Sequence, residues 1–217
     1  MSLVPASFAD RLAAARRVLV TAHRSPDGDA VGSSLASCHM IRALGREAVA
    51  WIPGGVPRPY RFLPGAGSVR TGKDPGGRFD ATLVLDTSDP DLLDAPLPPA
   101  DLRWPVLVLD HHLSGKGWGD VVVCAAAAAT GQLVWDLAGL LGFDPDLDFA
   151  TCVYTALVTD TGMFRYDLTT PGTHALAARC LELGVKPWVV ARHVWEEYPE
   201  SYLRLWSDLL ATLEGDM

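Results

Sequence analysis

Three short apolar runs constrain this chain most, because each ends in a side chain that carries chemistry. Val18 to Val20 leads through Thr21 and Ala22 to His23, residues 81–85 lead to Asp86, and residues 106–109 lead to Asp110. Leucine-rich and β-branched runs without polar alternation suit strands buried on both faces, as in a parallel sheet. Residues 17–22 are expected as the first strand, and a helix over 30–44 ends at Gly45. Residues 47–52 read as a further strand before the segment 53–59, where prolines and glycines exclude regular structure. Strands alternating with helical segments imply an α/β fold, a doubly wound and mainly parallel sheet with flanking helices. Beyond about residue 130 the character becomes helical, with helices expected over 130–141, 148–159, 171–183, 187–196 and 199–214. Several start at or near proline, which helix N-termini tolerate. The alanine run 125–129 reads as close packing.

At 217 residues the chain can build one main domain with a packed core. Its formal charge of −8, from 26 acidic and 18 basic side chains, comes with no basic tract, which argues against a long-duplex DNA partner. A small anion held through metal ions remains compatible. The longest apolar stretch, residues 121–129, falls far short of the roughly 20 residues that span a bilayer. No membrane partner and a cytoplasmic location are therefore expected, as is the absence of a secretory leader. Cys38, Cys124, Cys152 and Cys180 are scattered and form no Cys-x-x-Cys pair, so neither disulfide nor zinc cluster is expected.

In a parallel sheet the carboxyl ends of the strands lie along one edge, where open α/β sheets bind ligands. That edge would gather His23, Asp27 and Asp29 from the first strand, Asp86 from the third, and Asp110, His111 and His112 from the fourth. Asp160, after the apolar Ala156 to Val158, is a further contributor. Taken singly, an Asp after a strand is usually a turn former or helix cap, and Asp27-Gly28 is a common turn pair. Taken together, so many carboxylates would repel and raise one another's pKa values unless cations held them ionised. Mixed carboxylate and imidazole ligation without thiolate fits Mn²⁺, Mg²⁺ or Fe²⁺. Six candidate ligands suggest two ions, which at about 3.5 to 4 Å apart can clamp both oxygens of a phosphoryl transfer.

His23-x-x-x-Asp27-x-Asp29, Asp86, Asp110-His111-His112, and Asp160 before Thr161-Gly162 resemble the four ordered motifs of the DHH phosphoesterase superfamily. The segment 161–173 further resembles the branch of nanoRNases and 3′-phosphoadenosine-5′-phosphate phosphatases, whose N-terminal domain is RecJ-like. The resemblance spans roughly residues 15–212. It implies one metal held by His23, Asp27 and Asp86, and a second held by Asp29, Asp86, His111 and Asp160, with Asp86 bridging. His112 would face the substrate as hydrogen-bond donor or acid, and Asp110 would orient an imidazole. Arg165 is a candidate phosphate clamp, and Gly32 and Ser33 could offer backbone N–H groups to an anion. Close packing is the plainer reading of that pair. His39, His174 and His193 read as structural or surface residues, and Trp188, Trp195 and Trp206 as packing residues of the C-terminal helices.

The resemblance also implies a departure. Members of this branch continue into a glycine-rich, histidine-containing DHHA1 domain, and no Gly-Gly-Gly-His string occurs in this sequence. Residues 1–200 are expected as the catalytic domain and 201–217 as a linker-type helix, with the substrate-binding second domain absent. The implied activity is Mn²⁺-dependent hydrolysis of short oligoribonucleotides or 3′-phosphonucleotides. An inorganic pyrophosphatase or polyphosphatase, and a non-catalytic nucleotide-binding module, are the alternatives. The apolar helix near the end could also join two copies as a homodimer.

Overall fold

The computed structural model describes residues 2–99, 101, 105–112, 116, 118–124 and 126–213, the side chains of Val121, Val122 and Cys124 excepted. Among the described residues five parallel strands form one sheet: β1 (Arg17–Ala22), β2 (Glu47–Ala50), β3 (Ala81–Leu85), β4 (Val106–Asp110) and β5 (Val121–Cys124), in the order β2-β1-β3-β4-β5. The chain thus winds both ways from β1, and the order reverses between β1 and β3. Leu19 pairs in register with Val49 on one side and Thr82 on the other. β5 falls in the apolar stretch 121–129 and was not expected as a strand; nor was the first helix, α1 (Ala6–Ala14).

Alternate residues of each strand serve two different cores. Val18, Val20, Leu83, Leu85, Leu107 and Leu109 pack under helices α1, α2 (Gly28–Ala43), α3 (Thr130–Leu140), α4 (Leu147–Asp160) and α5 (Pro171–Glu182). Leu19, Val49 and Trp51, and separately Val84, Val106 and Val108, are covered by Phe79, Ala95, Leu97 and Trp118 from irregular segments. Both faces are dry, which is why these strands read as continuous apolar runs.

Helix α2 lies against α4 at a spacing that only glycine permits. A Cβ on Gly32 would stand 2.5 Å from the Cys152 carbonyl oxygen. α2 begins at Gly28, two residues earlier than expected, because Asp27 accepts from the amides of Asp29 and Ala30 as its N-cap. The expected helix over 187–196 divides into α6 (Pro187–Ala191) and a π-turn, Arg192–Glu196. The last helix, α7 (Glu200–Ala211), buries no residue. The expectation that Trp188 and Trp206 pack inside is therefore overturned: they are 64% and 48% exposed, while Trp195 does pack against the core. Residue 214, expected to end that helix, and Ala125, at the head of the alanine run, lie outside the described residues; Ala126 is exposed, against expectation, while Ala127, Ala128 and Ala129 are closely packed.

Candidate metal centre

The strand ends deliver the expected side chains to one place. A cleft of about 350 Å³ opens at the β1/β3 reversal, lined among others by His23, Asp27, Asp86, Ser88, Asp110 and His112. Asp86 sits at its centre with φ of +60°, a left-handed conformation that Asp tolerates better than most residues and that turns the chain sharply after β3. Among the described residues three groups bring ligand atoms within 4.8 Å of one another: His23, Asp27 and Asp86; Asp29, His111 and Asp160; and Asp86, His111 and His112.

Two imidazoles are fixed so that one nitrogen faces the carboxylates. His23 Nδ1 lies 2.7 Å from the Arg24 carbonyl oxygen and His111 Nδ1 lies 3.3 Å from that of Ala127. A carbonyl only accepts, so Nδ1 carries the proton in each ring and Nε2 turns inward, the arrangement common to metal-binding histidines. His23 Nε2 is 3.2 Å from Asp86 Oδ2. His111 Nε2 is buried without any hydrogen-bond partner, 3.7 Å from Asp29 Oδ2, 3.5 Å from Asp86 Oδ1 and 3.4 Å from Asp160 Oδ2. A lone pair aimed at three carboxylate oxygens is unfavourable unless a cation lies among them. The residues present therefore fit a divalent metal.

The electrostatics agree. Burial, and then the charges of Asp86, Asp160 and Asp27, push the Asp29 carboxyl well above its ordinary range, although the Thr130 amide opposes them. Burial likewise raises Asp160. Burial would lower His23, but its hydrogen bonds to Asp86 and Arg24 and the nearby carboxylates outweigh that and raise it. Protons stand in these positions for the cation that would otherwise neutralise the cluster.

Asp29 has a second duty. Helix α3 has Ala129 at its N-cap position and no side-chain cap of its own. The Asp29 carboxylate, 101 residues before Thr130, takes its place: Oδ2 accepts from the Thr130 amide at 2.6 Å and Oδ1 from the Gly131 amide at 2.9 Å. The anion also sits where the positive end of the helix dipole favours it.

His112 is held by a different pair. Asp110 Oδ1 lies 2.8 Å from His112 Nδ1 and also accepts the His112 amide at 3.1 Å, while Asp110 Oδ2 accepts from Ser88 Oγ at 2.9 Å. The hydrogen bond to Asp110 raises His112 to about 9, so the ring is an imidazolium at neutral pH, half exposed to the cleft. Burial pushes Asp110 up, but the bonds from His112 and Ser88 outweigh it and hold the carboxyl low.

Gly32, Ser33 and Arg165 are not brought into the cleft. Gly32 and Ser33 lie beyond the first turn of α2, where amides are spent on intrahelical bonds, and both are buried against neighbouring structure. Arg165 is exposed, and its Nε donates to the Gly162 carbonyl at 2.6 Å. Ser88 and Thr130, which hydrogen-bond Asp110 and Asp86, were not singled out from sequence: isolated hydroxyl residues carry no motif. The remaining histidines are structural. His39 Nε2 bonds the Pro64 carbonyl, His174 lies against Phe164, and His193 stacks on Phe62. Cys38, Cys152 and Cys180 are buried free thiols, and the side chain of Cys124 lies outside the described residues. Among the described residues no helix is long and apolar enough to cross a membrane.

Residues 17–157 match the model of the DHH family, N-terminal domain. The chain is 38% identical over 200 residues to the bifunctional oligoribonuclease and PAP phosphatase NrnA of Thermus thermophilus, covering 90% of this chain and 59% of that protein. It is 24% identical to the NrnA of Bacillus subtilis over 76% of this chain and 52% of the relative. The chain therefore spans between half and two thirds of the length of these relatives. Its fold resembles an exopolyphosphatase-related protein from Bacteroides fragilis, with a TM-score of 0.88 at 23% identity, over all of this chain and 68% of that one.

Proposed function

Because the chain belongs to the DHH family, we propose that it is a phosphoesterase that hydrolyses short oligoribonucleotides or 3′-phosphonucleotides at a centre of two divalent cations. The observation that carries this reading is the buried, unpartnered His111 Nε2 surrounded by three carboxylate oxygens. His23, Asp27 and Asp86 would hold one cation; Asp29, Asp86, His111 and Asp160 would hold the other. Oxygen and imidazole donors without thiolate favour Mn²⁺, with Mg²⁺ or Fe²⁺ as substitutes. When bound, the cations supply Lewis acidity, neutralising charge on the phosphoryl group and making water acidic enough to attack near neutral pH.

The chain's own groups do the rest. The His112 imidazolium, oriented by Asp110, donates to a phosphoryl oxygen or gives its proton to the leaving oxygen. Asp110 remains ionised beside it and holds the ring at the cleft, with Ser88 fixing the carboxylate from the other side. Arg165 is assigned a substrate contact only through movement of its exposed side chain. Gly32 acts by letting α2 and α4 close on each other. The catalytic domain precedes α7, which serves as a linker-type helix. The substrate class follows from the two relatives, each an oligoribonuclease and PAP phosphatase.

The exposed apolar face of α7, with Leu203, Leu205, Trp206, Leu209 and Leu210 more than one third exposed, supports self-association as a homodimer. Sedimentation across a range of concentrations would reveal it. The activity is tested by following release of nucleoside monophosphates from dinucleotides, and of phosphate from a 3′,5′-bisphosphonucleotide, with Mn²⁺ present. Turnover abolished by EDTA and by His111→Ala supports the proposal. Inactivity on both substrates with rapid cleavage of pyrophosphate would replace it by a pyrophosphatase, and nucleotide binding without any hydrolysis by a regulatory module.

A further inference from the structure

Thr130 touches both halves of the carboxylate cluster and has no role in the reading above. Its Oγ1 donates to Asp86 Oδ1 at 3.0 Å, and its amide donates to Asp29 Oδ2 at 2.6 Å. The residue is completely buried. The buried threonines of α4 and its C-terminal cap turn their hydroxyls back on that helix, as Thr155 does to Thr151 and Thr161 to Leu157. Thr130 is the first residue of α3 and has no helical carbonyl one turn behind it, so its hydroxyl is free to reach across to β3.

The contact falls on a carboxylate whose two oxygens have different surroundings. Asp86 Oδ2 faces His23 Nε2 at 3.2 Å, whereas Oδ1 faces His111 Nε2 at 3.5 Å and His112 Nδ1 at 3.8 Å. The terminal torsion of Asp is broad and roughly two-fold, so the side chain alone does not fix which way the oxygens point. A hydroxyl bonded to one oxygen does. We infer that Thr130 is a positioning residue that sets the rotation of the Asp86 carboxylate, so that one oxygen serves each cation of the proposed pair. Through the same residue's amide the Asp29 carboxylate is seated at a fixed distance from Asp86. This inference rests on the two-cation reading.

The experiment titrates Mn²⁺ into the metal-free full chain and follows free Mn²⁺ by electron paramagnetic resonance. Thr130→Val removes the hydroxyl while keeping the amide and the β-branch, and Thr130→Ser restores the hydroxyl. Loss of such an orienting contact costs about 10- to 100-fold in metal affinity. Thr130→Val should show weakening of that size for both ions, Thr130→Ser should bind as the wild type does, and the dinucleotide kcat should follow the same order with little change in KM. Thr130→Ala makes the same deletion without adding a methyl group, and serves where Thr130→Val does not fold. Two ions bound with unaltered affinity by either hydroxyl-free variant would overturn the inference alone, even if the urea midpoint fell. Absence of Mn²⁺ binding by the wild type would overturn the two-cation reading and this inference with it.

Discussion

A single methyl group at Gly131 should loosen both the helix packing and the metal centre. A Cβ there would stand 2.6 Å from the Ala156 Cβ of α4, while ordinary carbon contacts lie at about 3.5 to 4.0 Å. In Gly131→Ala the start of α3 must therefore retreat by about 1 Å or deform. The Gly131 amide now donates to Asp29 Oδ1 at 2.9 Å, and the same retreat would carry it out of hydrogen-bond range. Overpacking costs about 1 to 3 kcal/mol, a lost bond to a charged acceptor about 1.5 to 3 kcal/mol, and the better helix propensity of alanine returns up to about 1 kcal/mol. We expect net destabilisation of about 2 to 4 kcal/mol in urea unfolding of the metal-free protein, with Mn²⁺ affinity reduced about 10-fold or more. Gly139, on the same helix, is exposed with nothing within 4 Å of a Cβ, so Gly139→Ala should stabilise by about 0.5 to 1 kcal/mol and leave metal binding alone. The opposite signs are the test. Wild-type stability and Mn²⁺ affinity in Gly131→Ala would refute the reasoning, because they would show that α3 and α4 can part without moving Asp29.

Asp29→Ala should leave one strongly bound Mn²⁺ while Asp86→Ala loses both, as counted by equilibrium dialysis; equal occupancy in the two variants would overturn the assignment of ligands. In EDTA the melting temperature should be highest near pH 5 and decline toward pH 9, since Asp29, Asp160, His23 and His112 all have raised folded pKa values and each loses its contribution as pH rises through that value. Asp110, held low, opposes this only in acid, below the ordinary carboxylate range. Saturating Mn²⁺ should shrink the decline to the part carried by His112, which is held by Asp110 rather than by the cations, and a melting temperature that rises with pH in EDTA would contradict the electrostatics. Cys38 and Cys180, pushed up to about 12 by burial, and Cys152, pushed up by the same cause, should resist maleimide in the native protein and react on unfolding, as peptide mapping would record.

The centre of the fold was legible because buried parallel strands leave an unmistakable trace: the runs at 17–22, 81–85 and 106–109 lie in strands of the structure, and their ends meet. What escaped depended on context. β5 lies in an apolar stretch that merges with the alanines before α3, so nothing local marks its end. Trp188 and Trp206 sit at spacings that suit an amphipathic helix, but amphipathicity does not say whether a second surface covers the apolar face. Gly32 and Ser33 became candidates for anion binding only because the helix start was placed at Ala30; the Asp27 cap moves it to Gly28 and puts their amides inside the helix. Thr130 and Ser88 act across the sheet edge on residues far away in sequence, and a hydroxyl that does so looks like any other hydroxyl until the chain is folded.

The left-handed backbone at Asp86 subjects that position to two independent filters. The chemistry asks for a carboxylate with two acceptor oxygens, and the turn after β3 asks for a residue that accepts a positive φ, a property shared chiefly by Gly, Asn and Asp. Glutamate passes the first filter and fails the second; asparagine passes the second and fails the first. The nearest chemical homologue is therefore a conformational misfit, and Asp86→Asn, rather than Asp86→Glu, is the substitution that would silence the centre while leaving the polypeptide's path undisturbed.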